Sequence, residues 1–432
     1  MGTIGLVRVP AATARAGSEK TPVWVATSAP EGQWATQVAV SPDGERTYVA
    51  GPHDLFTYDA HTGALLWSTT FDGDAVGVAV GPEGRRVYLT VEASSSGDFG
   101  DFDTIAYDAV TGKLNWRAVY DAGTRDFPCC LTVSPDGLRV YVTGMSRSDG
   151  NEGDFATIAY NARSGGTIWA SLYAGEGPSE NVPEAIRTSP DGHLVYVTGE
   201  STGNLRNDFA TVAYQTTTGQ QVWASRYNSG GTRGDTPFAL AVDPTGQRVF
   251  VTGCTGVIDI CADAQILTIA YGAGTGDQQW VSTDDARGWG NEGDDVSVSR
   301  DGSTVYVVGD LEGSPDFDIG AFAYDAATGE EIWSSVYRHP GDDHVTDAAL
   351  DPDGTQLIAT GPTTLVGYES DIQTMSIDTA TGQLCWSTTW NGPDGEFDDG
   401  YAIALNPAGT LAYVAGRTLD GNYEFVTLAY HL

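Results

Sequence analysis

The stretch AYDAATGEEIW, Ala323 to Trp333, recurs as AYDAVTGKLNW at Ala106 to Trp116 and, one residue shorter, as YDAHTGALLW at Tyr58 to Trp67. A chain that repeats one pattern at long intervals is built from a repeated structural unit, so further copies are sought first. The turn SPDG at Ser41 supplies them. It returns as GPEG at Gly81, SPDG at Ser134 and Ser189, DPTG at Asp243, SRDG at Ser299, DPDG at Asp351 and NPAG at Asn406. Pro in second position presets φ and the closing Gly permits positive φ, as tight turns require.

Each turn sits between two short β-like runs, such as LTVS before it and RVYVTG after it. A polar loop follows, then a third run, the quoted pattern, and a Trp-bearing fourth run. The fourth runs carry Trp67, Trp116, Trp169, Trp223, Trp280, Trp333 and Trp386, and Trp24 stands near the N-terminus. Tyr, Val, Ile and Thr fill the runs while Gly, Asp, Asn and Pro fill the turns, the composition of strands and their connections. Eight units of roughly fifty residues with four strands each predict an eight-bladed β-propeller. This single all-β domain over residues 21–432 replaces the two or three domains that length alone suggests, with residues 1–20 as a flexible extension. The last unit has no Trp strand of its own, so Trp24 and its neighbours are expected to complete blade 8 and close the ring.

The pattern Ala106-x-Asp108-x-x-Thr111-Gly112-x-x-x-Trp116 resembles the tryptophan-docking motif of the pyrroloquinoline-quinone (PQQ) type propellers, a family of bacterial repeat proteins among others, over nearly the whole chain. The resemblance implies a Trp packed between neighbouring blades. It carries the fold and leaves the function open.

Composition narrows the partners. The formal net charge is −37, which argues against nucleic acid, because no basic patch is available to release counterions. It also argues against anionic membranes, and no apolar run reaches the length of a membrane span. The first twenty residues lack a continuous apolar segment, which leaves a cytoplasmic protein or a secreted one whose signal has been removed. A monomer with a small-molecule ligand is expected.

Eight copies of one unit control for each other: a shared residue is structural, a departure is a candidate for function. In the innermost strand, a row of small residues (Ala39, Ala79, Thr132, Ala241, Ser297, Ala349, Ala404) is broken by Arg187. An unpaired buried charge is costly, so Arg187 should reach the channel or a carboxylate. Two positions earlier stand Gln37, Gly77, Cys130, Ala185, Ala239, Asp295, Asp347 and Ala402, and next to them Thr36, Val76, Cys129, Glu184, Phe238, Asp294, Thr346 and Tyr401. The catalytic candidates are therefore Glu184, Arg187, Asp294, Asp295 and Asp347 at the upper channel mouth, with His344 three residues before Asp347 as general base or metal ligand. Trp34, Phe127, Cys129, Cys130, Phe238, Trp289, Tyr401 and His53 are the candidates for substrate binding at the same end.

The loops between second and third strands are acidic. Asp101, Asp154, Asp208, Asp318 and Asp371 recur at one position, which favours a structural role in bonding loop amides. The same oxygens would suit Ca2+ in one or two loops, although no EF-hand spacing is present. Cys254 and Cys261 bracket one loop and suit a disulfide, and Cys385 in an outer strand reads as a buried thiol. For adjacent Cys129 and Cys130, two small apolar thiols filling channel space are favoured over a vicinal disulfide, since neighbouring Cα atoms are closer than a disulfide prefers. The PQQ-dependent alcohol dehydrogenases carry a vicinal disulfide against the quinone, and this pair is similar in kind. The flanking FPCCLTV does not match that family, and no C-x-x-C-H haem motif is present. PQQ is thus admitted but not favoured. The leading reading is a small-molecule site at the channel mouth, with hydrolase, lyase or cyclase chemistry. A non-catalytic ligand- or protein-binding propeller is the alternative, and a quinoprotein oxidoreductase the third.

Overall fold

A computed structural model describes residues 20–28, 33–93, 100–123, 125–147, 153–175, 180–203, 206–230, 234–257, 264–284, 290–313, 316–364 and 369–432. Every regular element among them is a β-strand. The strands form antiparallel four-stranded sheets, except where one seven-stranded sheet joins blades 1 and 2. There Leu65–Val80 runs unbroken from the outer strand of blade 1 into the inner strand of blade 2. Strand Trp24–Ser28 pairs with Asn422–His431, Trp24 opposite Ala429, and completes blade 8. The inner strand of every blade packs against the inner strands of both neighbours, so eight blades close one ring.

The repeated residues have repeated jobs. In the SPDG turns the Ser134 hydroxyl donates to Asp136 (2.5 Å) and accepts the Arg139 amide (2.9 Å). Ser189 and Ser299 do the same in their blades. At six of the eight joints the Trp donates to the next blade's third turn, while the Nε1 of Trp67 and of Trp386 has no hydrogen-bond partner. Trp116 Nε1 donates to Ala162 O at 3.0 Å, and Trp24, Trp169, Trp223, Trp280 and Trp333 make the equivalent bond at 2.9–3.0 Å. The Thr-Gly of the motif explains the rest. Gly112 has φ of +69°, and a Cβ there would lie 2.6 Å from the Trp67 ring, so the position needs Gly both for its backbone and for its indole contact. Asp108 accepts the Val110 and Thr111 amides and the Thr111 hydroxyl, which holds the turn and lowers its carboxyl below the usual range.

Of the expected extension over residues 1–20, only Lys20 lies within the described residues. Its carbonyl accepts the Thr388 hydroxyl at 2.7 Å, and its ammonium lies 4.3 Å from the Trp386 ring centre and donates to His431 O at 2.6 Å.

Three expectations need correction. Cys385 is exposed and free rather than buried, because the alternation that turns Trp386 inward turns its neighbour outward. Two of the recurrent loop aspartates bind outer-strand donors rather than loop amides: Arg226 and Asn228 at Asp208, and Arg338 at Asp318. The third concerns the adjacent cysteines. Cys129 and Cys130 are joined as a disulfide. A register shift between Thr143 and Gly144 takes Cys129 out of the ladder. A bulge sets two residues opposite one, so adjacent side chains that would point to opposite faces can meet. Cys254 is buried and disulfide-bonded, while Cys261, its expected partner, lies outside the described residues.

Candidate functional site

The inner-strand rows align in space as they do in sequence. Cys130, Ala185, Ala239, Asp295, Asp347 and Ala402 each pair with the corresponding residue of the second strand: Thr143, Thr198, Thr252, Val308, Thr360 and Ala415. Immediately before this row, Val76, Cys129, Glu184, Phe238 and Tyr401 fall at register shifts in five blades. The blade therefore carries a recurrent bulge at the upper end of its inner strand, a device that re-aims side chains beside a site.

Arg187, Asp295 and Asp347, from blades 4, 6 and 7, line one cavity of about 330 Å³ in the channel. Its remaining walls are small or aliphatic, including Ala241, Val242, Val296, Ser297 and Ala348. The Arg187 Nη1 donates to Ile186 O at 2.9 Å, which leaves other donors of its fork for the cavity. Asp347 Oδ2 accepts the Ile403 amide at 2.7 Å, capping the inner edge of blade 8. Loss of hydration and the neighbouring Asp347 push Asp295 up to about 8, against the pull of Arg187. Asp347 rises to about 6, again through loss of hydration, with the Ile403 and Ala348 amides and Arg187 holding it down.

A second cluster stands above this cavity between blades 6 and 7. His344 Nδ1 is 2.5 Å from Asp310 Oδ2, and Asp310 Oδ1 accepts the Val345 amide at 2.8 Å. The His344 ring packs 5.0 Å from Phe317, and its hydrogen bond to Asp310 raises its pKa. Asp294 accepts the Asp310 amide at 3.0 Å. Loss of hydration, then Asp310 and Glu292, hold the Asp294 carboxyl well above its usual range. Glu292 is itself pushed up to about 7 by burial and by Asp310. Glu184, in blade 4, is raised by loss of hydration and by Glu200.

The other candidates are dispersed. His53 occupies the tight turn of blade 1 at φ of 64° and accepts the Gly73 amide on Nδ1 at 3.1 Å. Trp34 is exposed before the inner strand of blade 1, and Phe127 is half-buried opposite Met145. Phe238 packs on Cys254 and Ala264. The Tyr401 hydroxyl bonds Asp399 at 3.2 Å beneath Arg417. Cys130 Sγ lies 3.6 Å from Glu184 O and packs toward the core between blades 3 and 4. Trp289 lies outside the described residues.

Glu292 and Asp310 were not among the candidates. Two further rows would have exposed them. The position after the second-strand Gly or its equivalent reads Pro52, Glu92, Met145, Glu200, Cys254, Asp310, Pro362 and Arg417. The position three before the Asp295 row reads Trp34, Asp74, Phe127, Val182, Thr236, Glu292, His344 and Asp399. Both vary from blade to blade, as site positions do.

Ring closure, docked tryptophans and a variable inner wall define the class of quinoprotein-like β-propellers. Within it, the chain matches the PQQ-like repeat family described as outer membrane protein assembly factor BamB over residues 8–146 and 154–415, and it belongs to that family. No curated protein matches it. Among solved structures it is similar to BamB from Moraxella catarrhalis, at 15% identity and a TM-score of 0.53 over 95% of this chain and 99% of that one. It is also similar to the Dos1 propeller, at 10% identity and a TM-score of 0.61 over 95% of each chain. A quinohemoprotein alcohol dehydrogenase, ADHIIG from Pseudomonas putida HK5, aligns at 14% identity and a TM-score of 0.61 over 95% of this chain and 76% of that one. At these identities the likeness shows the fold.

The residues do not fit the cofactor that the family's name suggests. PQQ is an aromatic tricarboxylate. Among the described residues lining the channel cavity, Arg187 is the only cation and it stands with Asp295 and Asp347, so three further carboxylates would meet one guanidinium and two carboxyl groups that already compete for it.

Proposed function

We propose that this protein is a ligand-binding propeller whose channel takes a small molecule bearing a cationic nitrogen and a carboxylate. Asp295 and Asp347 receive the cation and Arg187 the anion. The observation that carries this reading is the placement of Asp295. It lines the cavity with only the Val296 amide donating to its carboxyl, in a repeat where its counterparts are Gly, Ala, Gln or Cys in six of the other blades and Asp in one. Its carboxyl is raised by loss of hydration and then by Asp347, and a ligand cation offsets both. Calorimetry with simple amines, simple carboxylates and amino acids tests it. Asp295→Asn should weaken every amine-bearing ligand at least tenfold, and Arg187→Gln should weaken only those with a carboxylate. Absence of binding by the whole panel, or equal losses in both variants, would overturn the proposal.

Acid–base catalysis on the bound molecule is a second reading. It is favoured by the split between Asp295, near 8, and Asp347, near 6, which leaves one carboxyl protonated and its neighbour ionised around neutral pH. Steady turnover of a ligand found by calorimetry, lost in Asp347→Asn, would support it.

A further inference from the structure

Away from the channel, blades 2 and 3 meet at Asp101, Asp121 and Asp126, and one carboxylate oxygen from each lies within 4.8 Å of the others. Comparison with the other blades shows what is unusual here. Asp101 holds the position of Asp208 and Asp318, and Asp121 that of Asn228 and Arg338. In those two blades the outer strand supplies a donor: Asn228 Nδ2 bonds Asp208 Oδ1 at 2.7 Å, and Arg338 Nε bonds Asp318 Oδ2 at 3.0 Å. Blade 2 puts a third-party acceptor in the donor's place, so carboxylate faces carboxylate.

Asp126 is the second departure. Its counterparts in three blades have both side-chain ends occupied. Asn181 bonds Gly153 O and Ser201, Asp235 bonds Ser229 and Thr255, and Asp343 bonds the His339 amide and Thr363. Asp126 accepts the Ala122 amide on Oδ2 at 2.7 Å. Its Oδ1 has no hydrogen-bond partner, although the residue is only 1% exposed. A buried carboxylate oxygen without a donor costs several times what a satisfied one does. Asp398 of blade 8 also leaves Oδ1 open, but Asn391 holds the place of Asp121 there.

We infer that Asp101, Asp121 and Asp126 form a Ca2+ site at the junction of blades 2 and 3. Three carboxylates and no nitrogen or sulfur select a hard cation. Oxygens on opposite sides of one Ca2+ are about 4.6–5.2 Å apart, so a group within 4.8 Å fits its sphere. The ion would occupy the open Oδ1 of Asp126 and relieve the repulsion between the Asp101 and Asp121 carboxylates. It would tie the outer strand of blade 2 to the inner strand of blade 3.

The test is titration of the full chain, stripped with EDTA, with Ca2+ alone and with Mg2+ alone, by calorimetry and by thermal melting. Wild type should bind one Ca2+ saturably below about 1 mM, within the range of such sites, and melt at higher temperature in its presence. Asp121→Asn should weaken Ca2+ at least tenfold. Asp121→Arg, which copies blade 6, should bind no Ca2+ at this site and melt above wild type in EDTA. Asp121 is exposed, so both variants keep the core intact, and their melting curves verify it. No Ca2+ response in wild type, or an unchanged response in both variants, would overturn the site. Tighter binding of Mg2+ would overturn the choice of ion.

Discussion

The joints between blades and the inner wall of blades 6 and 7 use polar groups in opposite ways. At the joint, Trp116 Nε1 has its carbonyl and Asp108 has its turn amides, and equivalents recur around the ring. On the inner wall, Asp294, Asp295 and Glu292 crowd like charges together and share few donors. The repeated bonds stabilise the ring, and the unrepeated charges draw on that stability. A residue that the fold does not repeat and that costs stability is where selection for another purpose is read.

The largest expected effect lies at the ring closure. Deleting residues 21–30 removes the fourth strand of blade 8 and with it the Trp24 contact to Ala60. The melting temperature should fall by about 10 °C or more, or folding should fail. Unchanged melting by circular dichroism would sink the closure account.

The inner wall should respond in the opposite sense. A carboxyl whose pKa rises on folding binds more protons folded than unfolded. Its contribution is complete below the unfolded value, near 4, and is lost as pH rises through the folded value, about 8 for Asp295. Stability should therefore decline from pH 4 to 8 by this term. Asp295→Asn should flatten the decline and, after allowance for screening along the open channel, add about 1–3 kcal/mol at pH 8. Denaturant melts at both pH values check it, and a variant less stable than wild type at pH 8 would erase the contrast between joint and wall.

The smallest effect belongs to the repeated turns. Ser134→Ala removes one hydroxyl that serves Asp136 and Arg139 and should cost about 1 kcal/mol. A loss as large as that of the strand deletion would show that the turns, and not the joints, hold the ring.

The fold was legible because its signals are local and repeated. Pro-Asp-Gly marks a turn wherever it stands, and Thr-Gly followed by Trp marks a joint without knowledge of its partner. Much of the inner wall was legible too, since Arg187, Asp295 and Asp347 break rows that can be written from sequence. Asp310 also breaks such a row, but its role does not show there, because it depends on a hydrogen bond to His344 in the next blade. The disulfide was missed for a different reason. Regular alternation separates Cys129 from Cys130, and only the bulge between Thr143 and Gly144 brings them together. Cys385 was read as buried because free thiols usually are, when alternation beside the inward Trp386 turns it out.

The pairing of Trp24 with Ala429 has a consequence for biosynthesis. At about 5–20 residues per second, the first strand waits roughly 20–80 s on the ribosome before its partner exists. Through that interval the strand has no sheet to join, although blade 1, whose Ala60 accepts the Trp24 indole N–H, is already made. The ring can close only after Asn422–His431 has been made, so the earliest strand made is among the last to be placed.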